Sequence, residues 1–184
     1  GEIYNHLEIR SKLESEGCVT DWRGHSDTET LLSAISFWGI RRTLEESVGM
    51  FAFALYDLSE HCIILARDRF GEKPLYFGWI DGVFVFASEL KAIKEHPKFK
   101  NEICRNALAK FLRFSYIPAP QSIYKDIFKL EPGKFIQRKI NTLSERSYEA
   151  LTFWSLSSCI ENSHSSHILD ENDAVKKMEV ALEN

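Results

Sequence analysis

Between Met50 and Ala87 four apolar runs follow one another, and they are apolar on both faces of an extended strand. The first, Met50 to Asp57, places Phe51, Phe53 and Leu55 on one face and Met50, Ala52, Ala54 and Tyr56 on the other. The last, Val83 to Ala87, sets Phe84 and Phe86 against Val83, Val85 and Ala87 in the same way. An antiparallel sheet with one wet face alternates apolar and polar residues. These strands do not, so both of their faces must be covered. A sheet packed on a second sheet, with helices outside, satisfies that demand. The runs pair as hairpins: Leu58-Ser59-Glu60-His61 separates the first from Cys62 to Ala66, and Asp81-Gly82 joins Leu75 to Ile80 with Val83 to Ala87. Asp-Gly is a strong hairpin signal, because both turn residues take positive φ.

Helical patterns flank the strands. Ile3, Leu7 and Leu13 recur at nearly helical spacing, predicting a helix over Ile3 to Glu16 with Gly17 as its C-cap. Ser26 with Glu29 three residues later reads as a capping box opening a helix through Leu31, Leu32, Ile35 and Trp38 to Gly39. Ser88 to Glu95 and Arg105 to Phe114 read as short helices, and Pro118 and Pro120 set an extended loop. Ile123 to Ile140 reads as one or two strands around Pro132-Gly133. The serine-rich stretch 155–170 lacks a period and reads as a linker. Residues 171–184 then read as the first helix of a further domain, with Val175, Met178 and Leu182 on one face. The chain starts at Gly1 and ends at Asn184 inside that helical pattern, which predicts a piece of a longer protein.

Several classes fall away on composition. The 184 residues suffice for one complete domain, at about 150 residues per domain, with some chain to spare. A hydrophobic fraction of 44% fills a core of that size without disulfides or a structural metal. The net charge of −4 with scattered lysines argues against a nucleic-acid surface. The longest apolar run, Val48 to Tyr56, is too short for a membrane helix. Cys18, Cys62, Cys104 and Cys159 stand far apart with no C-x-x-C, as expected of reduced cysteines in the cytoplasm. The first residues are polar and helical in pattern, unlike a signal peptide.

Searches for generic catalytic motifs return nothing: there is no G-x-S-x-G, G-x-G-x-x-G, P-loop or H-E-x-x-H. His164-x-x-His167 has metal-like spacing but no third ligand, which reads as two solvated histidines. Cys18 and His25 could pair as thiol and base only on a scaffold the sequence does not define. Arg67, Asp68, Arg69, Glu72 and Lys73 crowd around Gly71, which reads as a tight turn with local ion pairing.

Longer segments carry more information. "GEIYNH" at Gly1, "SDTE" at Ser26, "GMFAFALYD" at Gly49, "ARDRFGEKPLYFG" at Ala66 and "FASELKAI" at Phe86 occur in that order. From Gly1 to about Trp154 the chain closely resembles the glutaminase half of glutamine-hydrolysing asparagine synthetase. The resemblance implies a class II glutamine amidotransferase of the N-terminal-nucleophile hydrolase type. The fold expected is α+β, a four-layer α-β-β-α sandwich of two antiparallel sheets, over residues 1–154. In that family the first residue of the mature chain is a cysteine. Its α-amine, with a pKa of about 8, accepts the thiol proton and the thiol attacks the glutamine carboxamide. The ammonia released passes to a synthetase domain, where ATP and Mg2+ activate aspartate for conversion to asparagine.

The resemblance assigns three residues. Gly1 matches the glycine whose N–H completes the oxyanion hole, Glu2 lies along the bound glutamine, and Asp27 holds the glutamine α-ammonium. Plainer readings stand beside these: Asp27 as an acidic residue favoured by the helix dipole, Glu2 as a solvated carboxylate. The family's nucleophilic cysteine, its oxyanion asparagine and its carboxylate-binding arginine would all lie upstream of Gly1. Its SGG-x-DS pyrophosphate loop would follow Asn184. The expectation is therefore a piece inactive alone, binding no cofactor or metal itself. A homodimer is compatible with the family. Two alternatives remain open: the glutaminase domain of another class II amidotransferase, such as glucosamine-phosphate synthase or an amidophosphoribosyltransferase, or a degenerate, non-catalytic docking domain.

Overall fold

The computed structural model describes residues 1–18, 21–163, 168 and 170–183. It divides into two units, Gly1–Trp154 and Ser155–Asn184. In the first unit two hairpins form the centre. β3 (Ala52–Asp57) pairs with β4 (Cys62–Arg67), and β5 (Tyr76–Ile80) pairs with β6 (Val83–Ala87). Asp81 and Gly82 have φ of 50° and 81°, the positive values a tight two-residue connection requires. The short strands β1 (Glu2–Ile3) and β2 (Gly49–Met50) pair with each other. β7 (Ile127–Lys129) adds to β5, β8 (Lys134–Lys139) to β4, and β9 (Leu151–Thr152) to β8. All pairings are antiparallel, giving sheets ordered β1-β2, β3-β4-β8-β9 and β6-β5-β7.

Burial explains why the apolar runs fail to alternate. Cys62, Ile64 and Ala66 of β4 share a core with Ile9 and Leu13 of α1 (His6–Ser15) and with Ala34 and Leu44 of α2 (Asp27–Glu46). The opposite face of β4 contributes Leu65 to a second core with Ile136, Leu75, Leu130 and Phe77 of β5. The other face of β5 places Ile80 in a third core with Ile127 and with Ile93 of α3 (Leu90–Lys94). Both central strands are therefore covered on two sides, whereas the edge strands β3 and β6, for which the same cover was expected, leave Tyr56, Val83 and Phe86 exposed. The fold is mixed α/β with antiparallel sheets.

Several local readings change. Ile3 belongs to β1, not to the first helix, and Leu7 is 63% exposed; the buried face of α1 is Ile9, Arg10 and Leu13. A strand residue happened to fall in helical register. Gly17, with φ of 70°, does cap α1: its N–H reaches Glu14 O and that of Cys18 reaches Leu13 O. α2 buries Thr30, Ala34, Thr43 and Leu44 instead of the larger Leu31 and Leu32, and it resumes beyond a break at Gly39. The Ser26 hydroxyl accepts from Thr28 N–H as an N-cap, but Glu29 does not close the box. α4 (Arg105–Phe114) has the predicted bounds.

The second unit contains α5 (Leu156–Ser163) and α6 (Glu171–Glu183), so the serine-rich stretch holds a helix where no period is visible. Asp170 caps α6 by accepting from Asp173 N–H. Val175, Met178 and Leu182 are exposed on it. His164 and His167, and with them the proposed metal-like pair, lie outside the described residues. Among the described residues no helix is long and apolar enough to cross a membrane.

Candidate functional site

The first three residues run beside residues 49–51. Glu2 pairs with Met50 and Ile3 with Gly49, while Tyr4 N–H donates to Val48 O. Gly49 has φ of 153°, and a Cβ there would sit 2.2 Å from Glu2 O. A Cβ on Gly1 would come within 2.7 Å of Met50 O and 2.8 Å of Phe51 Cα. Glycine at both positions is thus a condition of the strands lying this close. Asn5 locks the entry to β2, since its side chain donates to Glu46 O and accepts from Val48 N–H.

Asp27, at the first position of α2, reaches this strand. Its Oδ2 accepts the Ile3 N–H at 3.0 Å, and its Oδ1 lies 3.4 Å from the Thr28 hydroxyl. The Ile3 N–H is the main reason that the Asp27 carboxyl is held below the ordinary aspartate range. Partial burial opposes it, and the Thr28 N–H and hydroxyl and His6 add to the lowering. Glu2 is exposed on β1. Ile3 and Asp27, 24 residues apart, are therefore brought together at the strand that carries Glu2. Cys18 donates to Glu16 O at 3.8 Å and packs on the first core, while His25 is exposed.

Behind this strand lies the turn at residues 67–73, which is built differently from a network of ion pairs. Asp68, with 0% exposure, takes the N–H groups of Phe70 and Glu72 on Oδ1 and that of Lys73 on Oδ2. Its own N–H donates to Phe51 O at 2.8 Å, next to the contact with Gly1. Arg67 donates to the carbonyls of Lys73, Leu130 and Gly71. Both charged groups are spent on backbone, which explains why they are buried. Burial pushes the Arg67 guanidinium pKa down, and the neighbouring Asp68 offsets part of that.

The sequence reading missed a second set of buried groups near Asp27. Arg10 donates to Thr30 Oγ1, Gly24 O and Ser26 O at 2.8, 2.8 and 3.0 Å. Its guanidinium lies 4.3 Å from the centre of the Trp22 ring. Glu29 accepts the N–H groups of Arg23 and Gly24 at 2.8 and 3.0 Å, and those bonds hold its carboxyl low. The available signal was Arg10 itself, a charge placed between Ile9 and Leu13 on the inward face of α1.

The architecture is shared with solved amidotransferases. The glutamine phosphoribosylpyrophosphate amidotransferase from Bacillus subtilis aligns over 83% of this chain and 28% of its own, with a TM-score of 0.54 and 20% identity. A structure described as the allosteric regulatory enzyme of purine biosynthesis aligns over 83% and 27%, with a TM-score of 0.55 and 21% identity. These likenesses define the fold class. The sequence signature of the glutamine amidotransferase domain matches residues 1–149, and the chain belongs to that family.

Curated relatives are more specific. The putative asparagine synthetase [glutamine-hydrolyzing] 2 of Methanocaldococcus jannaschii is 37% identical over 159 residues, covering 85% of this chain and 29% of that protein. Asparagine synthetase [glutamine-hydrolyzing] 1 of Bacillus subtilis is 35% identical over 158 residues, covering 83% and 24%. The chain thus spans about a quarter of the length of these relatives.

Proposed function

We propose that this chain is the glutamine-hydrolysing part of an asparagine synthetase. The observation that carries the reading is the Ile3–Asp27 hydrogen bond, which joins the "GEIYN" and "SDTE" segments into one site. Asp27 offers an ionised carboxylate to the α-ammonium of glutamine. Gly1 offers a backbone N–H to the oxyanion, a donor of a kind worth roughly 3 kcal/mol in the transition state. Glu2 lies along the substrate. In this reading the nucleophile is a cysteine thiol. Its thiolate adds to the carboxamide carbon, ammonia leaves with the proton taken from the thiol, and water releases glutamate from the thioester.

In the complete protein the ammonia is used to amidate aspartate, with ATP and Mg2+ acting outside this chain. Among the described residues no three His, Cys, Asp or Glu side chains gather as a metal site would require. The three successive cores support a four-layer α-β-β-α arrangement over residues 1–154. The unpaired cysteines favour the cytoplasm.

A second reading, the glutaminase domain of another class II amidotransferase, draws on the likeness to the phosphoribosylpyrophosphate enzyme. Product analysis separates the two. The complete protein supplied with glutamine, aspartate and ATP is expected to form glutamate and asparagine together. Glutamate formation without asparagine would favour the second reading, and no glutamate at all would leave a docking domain.

A further inference from the structure

Arg10 is 7% exposed, yet none of its three short hydrogen bonds goes to an acid. They go to Gly24 O, Ser26 O and the Thr30 hydroxyl, around the N-terminus of α2. Glu29, 3.5 Å from Arg10, takes the N–H groups of Arg23 and Gly24 from the same stretch. The backbone that leads into Asp27 therefore has its carbonyls held by a side chain of α1 and its amides by a side chain of α2. α1 also follows directly on β1, whose Ile3 N–H occupies Asp27 Oδ2. The continuous segment of β1 and α1 thus delivers a backbone donor to Asp27 and a guanidinium to the residue before it.

We infer that Arg10 is a positioning residue for substrate capture, fixing the Asp27 carboxylate so that Oδ1 is presented to the ammonium of glutamine. The inference rests on the reading of Asp27 given under Proposed function. Oδ2 is committed to Ile3, while Oδ1 lies toward Thr28, whose hydroxyl is 3.4 Å away. The division of labour between the two oxygens depends on where the first turn of α2 sits. A planar fork with donors in three directions can hold Gly24, Ser26 and Thr30 at once, and a lysine ammonium on a flexible stem cannot reproduce that geometry. A small displacement of a substrate-binding group is costly, because an ion pair to a bound substrate depends on its placement.

A merely structural arginine and a positioning one differ in what they change. Loss of a structural contact lowers the amount of folded enzyme and leaves the KM of what remains unaltered. Loss of positioning raises the KM for glutamine while kcat, set by groups at the carboxamide end, is retained. The test is steady-state glutamine hydrolysis by the complete protein carrying Arg10→Lys. The expected result is a KM raised about tenfold with kcat within about twofold of the unsubstituted protein. An unchanged KM, or a fall in kcat alone, overturns the inference. If Arg10→Lys does not fold, Thr30→Val removes the acceptor of the Arg10 Nε–H together with that hydroxyl's own donation to Ser26 O. It is expected to raise KM about threefold, and an unchanged KM again overturns the inference. The parent reading fails separately: the unsubstituted protein then releases no glutamate from glutamine, or Asp27→Asn leaves its KM unaltered, and the role of Arg10 falls with it.

Discussion

The backbone N–H of Ile3 donates to Asp27 Oδ2 at 3.0 Å, so a carboxylate in the first turn of α2 holds the strand that begins at Gly1. A helix N-terminus favours an acidic residue by about 0.3–1 kcal/mol wherever it points. Here the acid is also turned toward the strand, so its placement is set by a specific bond as well as by the dipole.

This contact predicts a pH dependence. The folded-state pKa of Asp27 is lowered, chiefly by Ile3, so the ionised carboxylate stabilises the tie between β1 and α2 above the ordinary aspartate value. That stabilisation is lost as pH falls through the lowered, folded-state value. The Ile3 amide resonance, followed by NMR during acid titration, should therefore report a midpoint below 3.8, the unperturbed aspartate value. A midpoint at or above it contradicts the account.

At Gly1 a methyl group meets Met50 O and Phe51 Cα, both backbone or next to it, at under 3 Å. Backbone cannot swing aside as a flexible side chain does. If the Gly1 N–H serves the oxyanion as proposed, Gly1→Ala in the complete protein should displace it and lower kcat for glutamine by about a hundredfold, with a small effect on KM. Kinetics with kcat intact would show that this N–H is not at the reacting centre.

Gly49 combines a positive φ of 153° with a Cβ position 2.2 Å from Glu2 O. Gly49→Ala should separate β1 from β2 and destabilise the fold by about 2 kcal/mol or more, read from urea denaturation. A loss below about 0.5 kcal/mol would mean that the two strands adjust freely.

Asp68 gives an ordered series. Ala at this position abandons three N–H groups that the buried carboxylate takes, and Asn keeps the Oδ1 bonds to Phe70 and Glu72 but turns an NH2 toward the Lys73 N–H. Stability should fall from the parent to Asp68→Asn to Asp68→Ala, the last by about 3 kcal/mol or more. Equal losses for the two variants would contradict the bonding pattern.

Legibility in the sequence followed the physics of each element. The β5–β6 hairpin is readable because Asp81-Gly82 specifies its turn locally, and the double-sided burial of β4 and β5 because Leu65 and Phe77 stand on strands with no polar face; Tyr56, Val83 and Phe86 are exposed because β3 and β6 are edge strands, which the sequence does not reveal. The first helix was misread at its start, because Ile3 fits a helical register by coincidence while its N–H belongs to Asp27 and its strand to Gly49. α5 carries no buried residue, so nothing in its sequence had to show a period. Asp27 is expected at the site only through the resemblance carried by its "SDTE" setting. Arg10, Glu29 and Asp68 were not, because what makes them matter is backbone supplied by distant segments. A charge is legible as a charge; its burial against carbonyls or amides is decided by the fold.

The most direct test of the glutamine site is the KM for glutamine of the complete protein with and without Asp27→Asn. This change keeps the volume and one oxygen while removing the negative charge. The account predicts glutamate release by the parent and a KM raised by tenfold or more in the variant, since about 1.4 kcal/mol of lost ammonium binding suffices for that factor. An unchanged KM in a folded variant would contradict it.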